Sequence, residues 1–177
     1  MSDDNNDLFD LDTDLEAVQD LVQFVNPHNG THIFGIAFAG MDKIGADRKG
    51  VKIIYQLVQT LEAANPDEAE APVGSVWQES FMGGDMGKKL LKLRIKQLFG
   101  DDVSGAMRPY ITAMQEKGRT EFMVKMTTKV VKSKSTNKET GDVNEYENVR
   151  VLDAEACAPV TVPENWEWLE YTPRDDD

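Results

Sequence analysis

The apolar pattern of this 177-residue chain changes period twice, and that change constrains the fold more than any single motif. Residues 31–82 hold strand-like apolar runs separated by polar, Gly- and Pro-containing turns, with a period of two clearest over 32–39. Over 88–117 apolar side chains recur at helical spacing, and over 119–156 the period of two returns. "THIFGIAFAGM" alternates bulky Phe34, Ile36 and Phe38 with small Gly35, Ala37 and Ala39, which suits a strand face that another backbone or a ligand approaches closely. "VKIIYQLVQTLEA" and "VGSVWQESFM" are predicted as the second and third strands. "KKLLKLRIKQLF" then sets Leu91, Ile95, Leu98 and Phe99 on one helical face and Lys88, Lys89, Lys92 and Lys96 on another, with Gly100 placed to end the helix. Residues 106–117 are predicted as a second helix with Met107, Tyr110, Ile111 and Met114 toward the core. "RTEFMVKMTTKVVKSK" and "NEYENVRVLDAEA", joined by the turn "STNKETGD", complete the strands.

Three strands, a helical segment and two strands is the order of an OB-fold, a partly open Greek-key barrel. The expected class is therefore mainly β (β+α): a five-stranded OB-fold barrel with its helical segment between strands 3 and 4. A ferredoxin-like fold needs a helix after the first strand, and none is legible there.

Charge divides the chain into three parts. The formal net charge is −13, yet residues 1–29 carry eight acids and no Lys or Arg, and residues 153–177 carry eight acids against Arg174 alone. The centre, 30–152, is slightly positive. The expected organisation is an acidic N-terminal segment with a short helix (1–29), an OB-fold domain (30–152), and an acidic, Trp-containing C-terminal tail (153–177). The N-terminal helix is predicted over "TDLEAVQDLVQFV", where Leu15, Val18, Leu21, Val22 and Val25 share a face, Thr13 and Glu16 match a capping box, and "NPHNG" stops it. Docking of that segment on its own domain and docking on a second subunit of a homo-oligomer both stay open.

No apolar run is long enough to span a membrane and the first residues lack an apolar signal region, so a cytoplasmic protein is expected. A single cysteine, Cys157, fits a reducing compartment. His28, His32 and Cys157 do not make a zinc constellation, so no metal or cofactor is expected and the histidines read as turn and strand residues. Catalysis finds no support. "GGDMGKK" lacks P-loop spacing, and neither a nucleophile elbow nor an HExxH pair is present.

An OB-fold binds single strands through cations that track phosphates and aromatic rings on which bases stack. The candidate cations are Lys43, Arg48, Lys49 and Lys52 around the first turn, and Lys125, Lys129, Lys132, Lys134 and Arg150 on the last two strands. The aromatic candidates are Phe34, Phe38, Tyr55, Trp77, Phe81 and Tyr146; Phe34 and Phe38 read as core, which leaves Tyr55, Trp77 and Tyr146 as the platforms to test. Tyr55 shares parity with Val51, Ile53 and Leu57, which favours the core; Trp77 lies on a mixed face; Tyr146, between Glu145 and Glu147, reads as exposed. Charged edge strands also discourage aggregation, which is the plainer explanation of the lysines. In "ENWEWLEYTPRDDD" the aromatics Trp166, Trp168 and Tyr171 either anchor a partner or fold back on the domain, while the acids compete with nucleic acid for a cationic groove.

Three stretches carry a resemblance: "VKIIYQLVQTLEAANPDEAEAPVGSVWQESF", "GKKLLKLRIKQLFG" and "EFMVKMTTKVVKSK…NEYENVRVL". Together they make residues 30–152 look like phage-encoded OB-fold single-stranded DNA-binding proteins. The acidic end is similar to the tails with which such proteins recruit replication and recombination partners, although those often close on an apolar residue and this one reads "RDDD". The resemblance implies a non-enzymatic protein that binds single-stranded DNA without sequence preference in phage DNA replication or recombination. The alternative is an acidic interaction module that binds a basic host or phage protein.

Overall fold

The computed structural model describes residues 11–15, 22–44, 48–67 and 71–174. Its elements run β1 (Gly30–Ile44), β2 (Arg48–Ala63), β3 (Val76–Met82), α1 (Asp85–Phe99), α2 (Arg108–Lys117), β4 (Met123–Thr136) and β5 (Val143–Cys157). The strands form one five-stranded antiparallel sheet in the order β3-β2-β1-β4-β5. Three hairpin-linked strands with the fourth returned beside the first is the Greek-key arrangement, and β5 extends it by one hairpin. Among the described residues no ladder joins β3 to β5. Instead α1 packs against both of these edge strands. The protein is mainly β with two helices, and no helix of the described residues is long and apolar enough to cross a membrane.

Both faces of the sheet are covered. The inner face sets Phe34, Ile36, Ile53, Tyr55, Leu57, Trp77 and Val124 against Leu91, Ile95 and Leu98 of α1 and Met114 of α2. α1 begins three residues before its periodic run, at Asp85, whose carboxylate suits the positive end of the helix, and stops at Gly100 with φ 103°. α2 carries Pro109 in its first turn, where a missing N–H costs nothing.

The outer face is covered by the chain's own C-terminal segment, and here the expected acidic tail needs correction. Residues 153–157 belong to β5, and residues 158–174 form a strap across the sheet. Val160, Val162, Trp166 and Trp168 pack on Ile33, Val58 and Met123, while Leu169 and Tyr171 pack on Ala37, Phe38 and Ile54. Burial from both sides is the reason β1 and β2 read as nearly continuous apolar runs. Gly35 marks the closest approach, since a Cβ there would come within 2.1 Å of the Trp168 ring.

The predicted N-terminal helix falls partly on residues 16–21, which lie outside the described residues. Val22 and Val25 do not continue it. This stretch is extended along the free edge of β3, with Val25 N–H donating to the Val76 carbonyl at 3.0 Å and Val76 N–H to the Gln23 carbonyl at 2.9 Å. An edge strand presents unpaired backbone groups, and satisfying them outcompetes the last turn of a helix.

Candidate nucleic-acid interface

β4 and β5 outrun the sheet. β1 pairs with β4 only from Gly30↔Thr128 to Phe34↔Val124, whereas the β4–β5 ladder continues to Thr136↔Val143. Beyond Thr128 the hairpin is a two-stranded ribbon: the face of Lys129 is open, while at its base the other face still seats Val149 against the core. Its base is tied down where Asn29 Oδ1 accepts from Val130 N–H at 2.6 Å and the His28 carbonyl accepts from the Thr128 hydroxyl at 2.8 Å. His32, buried beside this loop, donates from Nε2 to the same carbonyl at 2.8 Å, a structural role.

Register sorts the ribbon's side chains by face. Lys129↔Arg150, Val131↔Asn148 and Ser133↔Tyr146 stand on one face, which is also that of Lys125 and Thr127. Lys132↔Glu147 and Lys134↔Glu145 stand on the other. The cations therefore fall into two groups. Lys134 meets Glu145 at 3.3 Å, Lys132 lies opposite Glu147, and Lys125 meets Glu155 at 3.7 Å. Lys129 and Arg150, in contrast, oppose each other, and neither forms an ion pair among the described residues. Like charges directly across a ladder destabilise it unless an anion lies between them. Tyr146 shares this face and is 47% exposed.

The first turn contributes a second like-charged pair. Lys43 and Lys49 oppose each other near the end of the β1–β2 hairpin, and Arg48 is exposed beside them. Lys52 does not belong with them. It is buried, 2.7 Å from Asp42, and donates to the Tyr171 hydroxyl at 3.0 Å, so its charge is already matched. Tyr171 itself donates to Asp42, and the Arg174 N–H donates to the same carboxylate at 2.7 Å. Burial alone would raise the Asp42 carboxyl; donors from Lys52, Tyr171 and two backbone N–H groups outweigh it and hold the group well below the ordinary carboxylate range.

Tyr55 and Trp77 are not platforms for bases. Tyr55 is 0% and Trp77 5% exposed, and the two rings stack on each other at 5.0 Å inside the core. The Tyr55 hydroxyl donates to Glu79 at 2.6 Å, and Arg94 clamps the same carboxylate with two bonds of 2.9 and 2.7 Å. This network ties α1 to β3. Burial, and next the Glu79 charge, push the Tyr55 phenol well above its ordinary value, so it stays a neutral donor.

Trp166, Trp168 and Tyr171 are likewise engaged by their own domain rather than offered to a partner. Arg119 lies over the Trp168 ring at 5.1 Å, and Tyr171 meets Phe38 edge-on at 4.9 Å. Gln56 grips the strap's backbone like a neighbouring strand: its Nε2 donates to the Glu167 carbonyl and its Oε1 accepts from Leu169 N–H, both at 2.9 Å. Glu164, Glu167 and Glu170 remain exposed between the half-buried aromatics, which makes an acidic ridge on the outer face. At the foot of the ribbon a cleft of about 300 Å³ adds Glu62, Asp153 and Glu155 to the acidic side.

Asp42, Gln56, Glu79, Arg94 and Arg119 escape sequence reasoning. Their only signal is a polar residue inside or beside an apolar run. No family model matches this chain, and neither a curated protein nor a solved structure does.

Proposed function

We propose that this protein binds single-stranded DNA without sequence preference, in phage replication or recombination, through the open face of the β4–β5 ribbon and the cationic end of the β1–β2 hairpin. One observation carries the proposal: the Lys129–Arg150 cross-strand pair, unmatched by an acid among the described residues and on the same face as exposed Tyr146, which lies four residues further along the ribbon. A phosphate between the two cations removes their repulsion, and a base on Tyr146 gains a stacking surface. The Greek-key strand order, with a helix between β3 and β4, supports an OB-type barrel in which α1 fills the gap between the edge strands. Strand-linking hairpins are the elements such barrels use to hold oligonucleotides.

The acidic ridge of the strap favours a second function, capture of a basic protein on the outer face. Titration of fluorescein-labelled oligo-dT with the full chain at low and moderate salt separates the two. Salt-sensitive binding, weakened roughly 5- to 150-fold by Tyr146→Ala, is expected, since stacking contributes about 1–3 kcal/mol per base. Absence of binding at tens of micromolar protein in low salt would exclude the nucleic-acid function.

A further inference from the structure

α1 carries a second apolar stripe that the described residues leave uncovered. Met86, Leu90 and Leu93 are 66%, 48% and 50% exposed. At 100° per residue they gather within one narrow sector, roughly opposite the buried Leu91, Ile95 and Leu98. Lys89, Lys92 and Lys96 run along one flank of that stripe. A solvated helix face requires no leucines, and exposed apolar rows rimmed by charge mark interaction sites.

The N-terminal segment has the matching chemistry. Leu8, Leu11 and Leu15 recur at intervals of three and four residues, and Asp7, Asp10 and Asp14 repeat at the same intervals one position earlier. Residues 1–21 carry eight acids and no base. Within one chain Leu11 and Leu15 are 87% and 86% exposed, so they are not seated on their own α1.

We infer that the acidic, leucine-bearing N-terminal segment of one copy docks on the Met86–Leu90–Leu93 stripe of a second copy, its aspartates against Lys89, Lys92 and Lys96. This is helix-face recognition by apolar anchors at three- and four-residue intervals, with charge fixing the register. The contact is heterologous, segment to helix, so it either closes a dimer by mutual exchange or extends as a row of copies. It is independent of what the β4–β5 ribbon binds.

The test is sedimentation velocity of the full chain from about 5 to 500 μM at low ionic strength, where exposed charge pairs are least screened. Concentration-dependent association is expected, weakened at least tenfold by Leu90→Glu/Leu93→Glu or by Leu11→Glu/Leu15→Glu. Lys89→Asp/Lys92→Asp and Asp7→Lys/Asp10→Lys should each weaken it, and their combination in one chain should restore it. All these positions lie on the surface or in the N-terminal segment, and unchanged urea midpoints will separate loss of docking from loss of fold. A chain that stays monomeric throughout overturns the inference. So does association indifferent to these changes, or a monomer whose frictional ratio alone responds to them, which would place the segment on its own helix.

Discussion

Asp42 gathers four donors on one buried carboxylate: Lys52 Nζ, the Tyr171 hydroxyl, and the N–H groups of Lys43 and Arg174. Such a group is costly to disturb, because each donor that loses it is stranded in a low dielectric. Asp42→Asn should lower stability at pH 7 by about 3–5 kcal/mol, the cost of leaving a buried Lys unmatched. The wild-type carboxyl titrates below its unfolded value of about 3.9. Its stabilising contribution is therefore complete above about pH 5 and lost as pH falls. Urea midpoints of the two proteins should converge between pH 5 and 2; a constant gap would contradict the assignment. Gly35 makes the complementary steric prediction. Gly35→Ala forces the Trp168 ring aside and should cost about 1–3 kcal/mol, whereas in a Trp168→Ala background most of that cost should vanish. Equal costs in both backgrounds would mean that the strap does not press on β1. Single-residue roles of this kind were the least legible part of the sequence. Lys52 reads as one more basic residue near a turn, and its acid and its tyrosine lie at positions 42 and 171, too far apart in the chain to be paired by spacing.

Elements were more legible than residues, because periodicity reports which side of a segment is buried. Leu91, Ile95 and Leu98 face the core as their spacing requires, and Tyr55 follows the parity of Ile53 and Leu57 inward. The strap was hidden by its own composition. Its acids at 164, 167 and 170 suggest a solvated tail, while the packing is done by Val160, Val162, Trp166, Trp168, Leu169 and Tyr171 between them. The strap is extended and lacks a ladder of its own, so neither helical nor strand periodicity reports it. A chain ending at Cys157 uncovers Ile33, Val58, Met123, Phe38 and Ile54. It should unfold at distinctly lower urea or aggregate, as exposed apolar surface of that extent dictates. An unchanged midpoint would show that the strap contributes little to the fold.

At the scale of the molecule, charge and topology divide the labour. The Greek-key sheet gives a rigid frame closed on one side by helices and on the other by the acidic strap. The β4–β5 ribbon leaves that frame, and its two faces differ: one alternates Lys with Glu, the other sets Lys129 against Arg150 and carries Tyr146 further along. The most direct test is therefore face-specific. Fluorescence anisotropy with labelled oligo-dT, read from 20 to 200 mM salt, should show Lys129→Glu/Arg150→Glu weakening binding and flattening the plot of log K against log salt. The expected flattening is about 0.7 per lost phosphate contact, roughly 1.4 in all. Lys132→Glu/Lys134→Glu, on the opposite face, should leave the slope nearly unchanged. Equal effects of the two pairs, or an unaltered slope with the first, would contradict the assignment of this ribbon face as the binding surface.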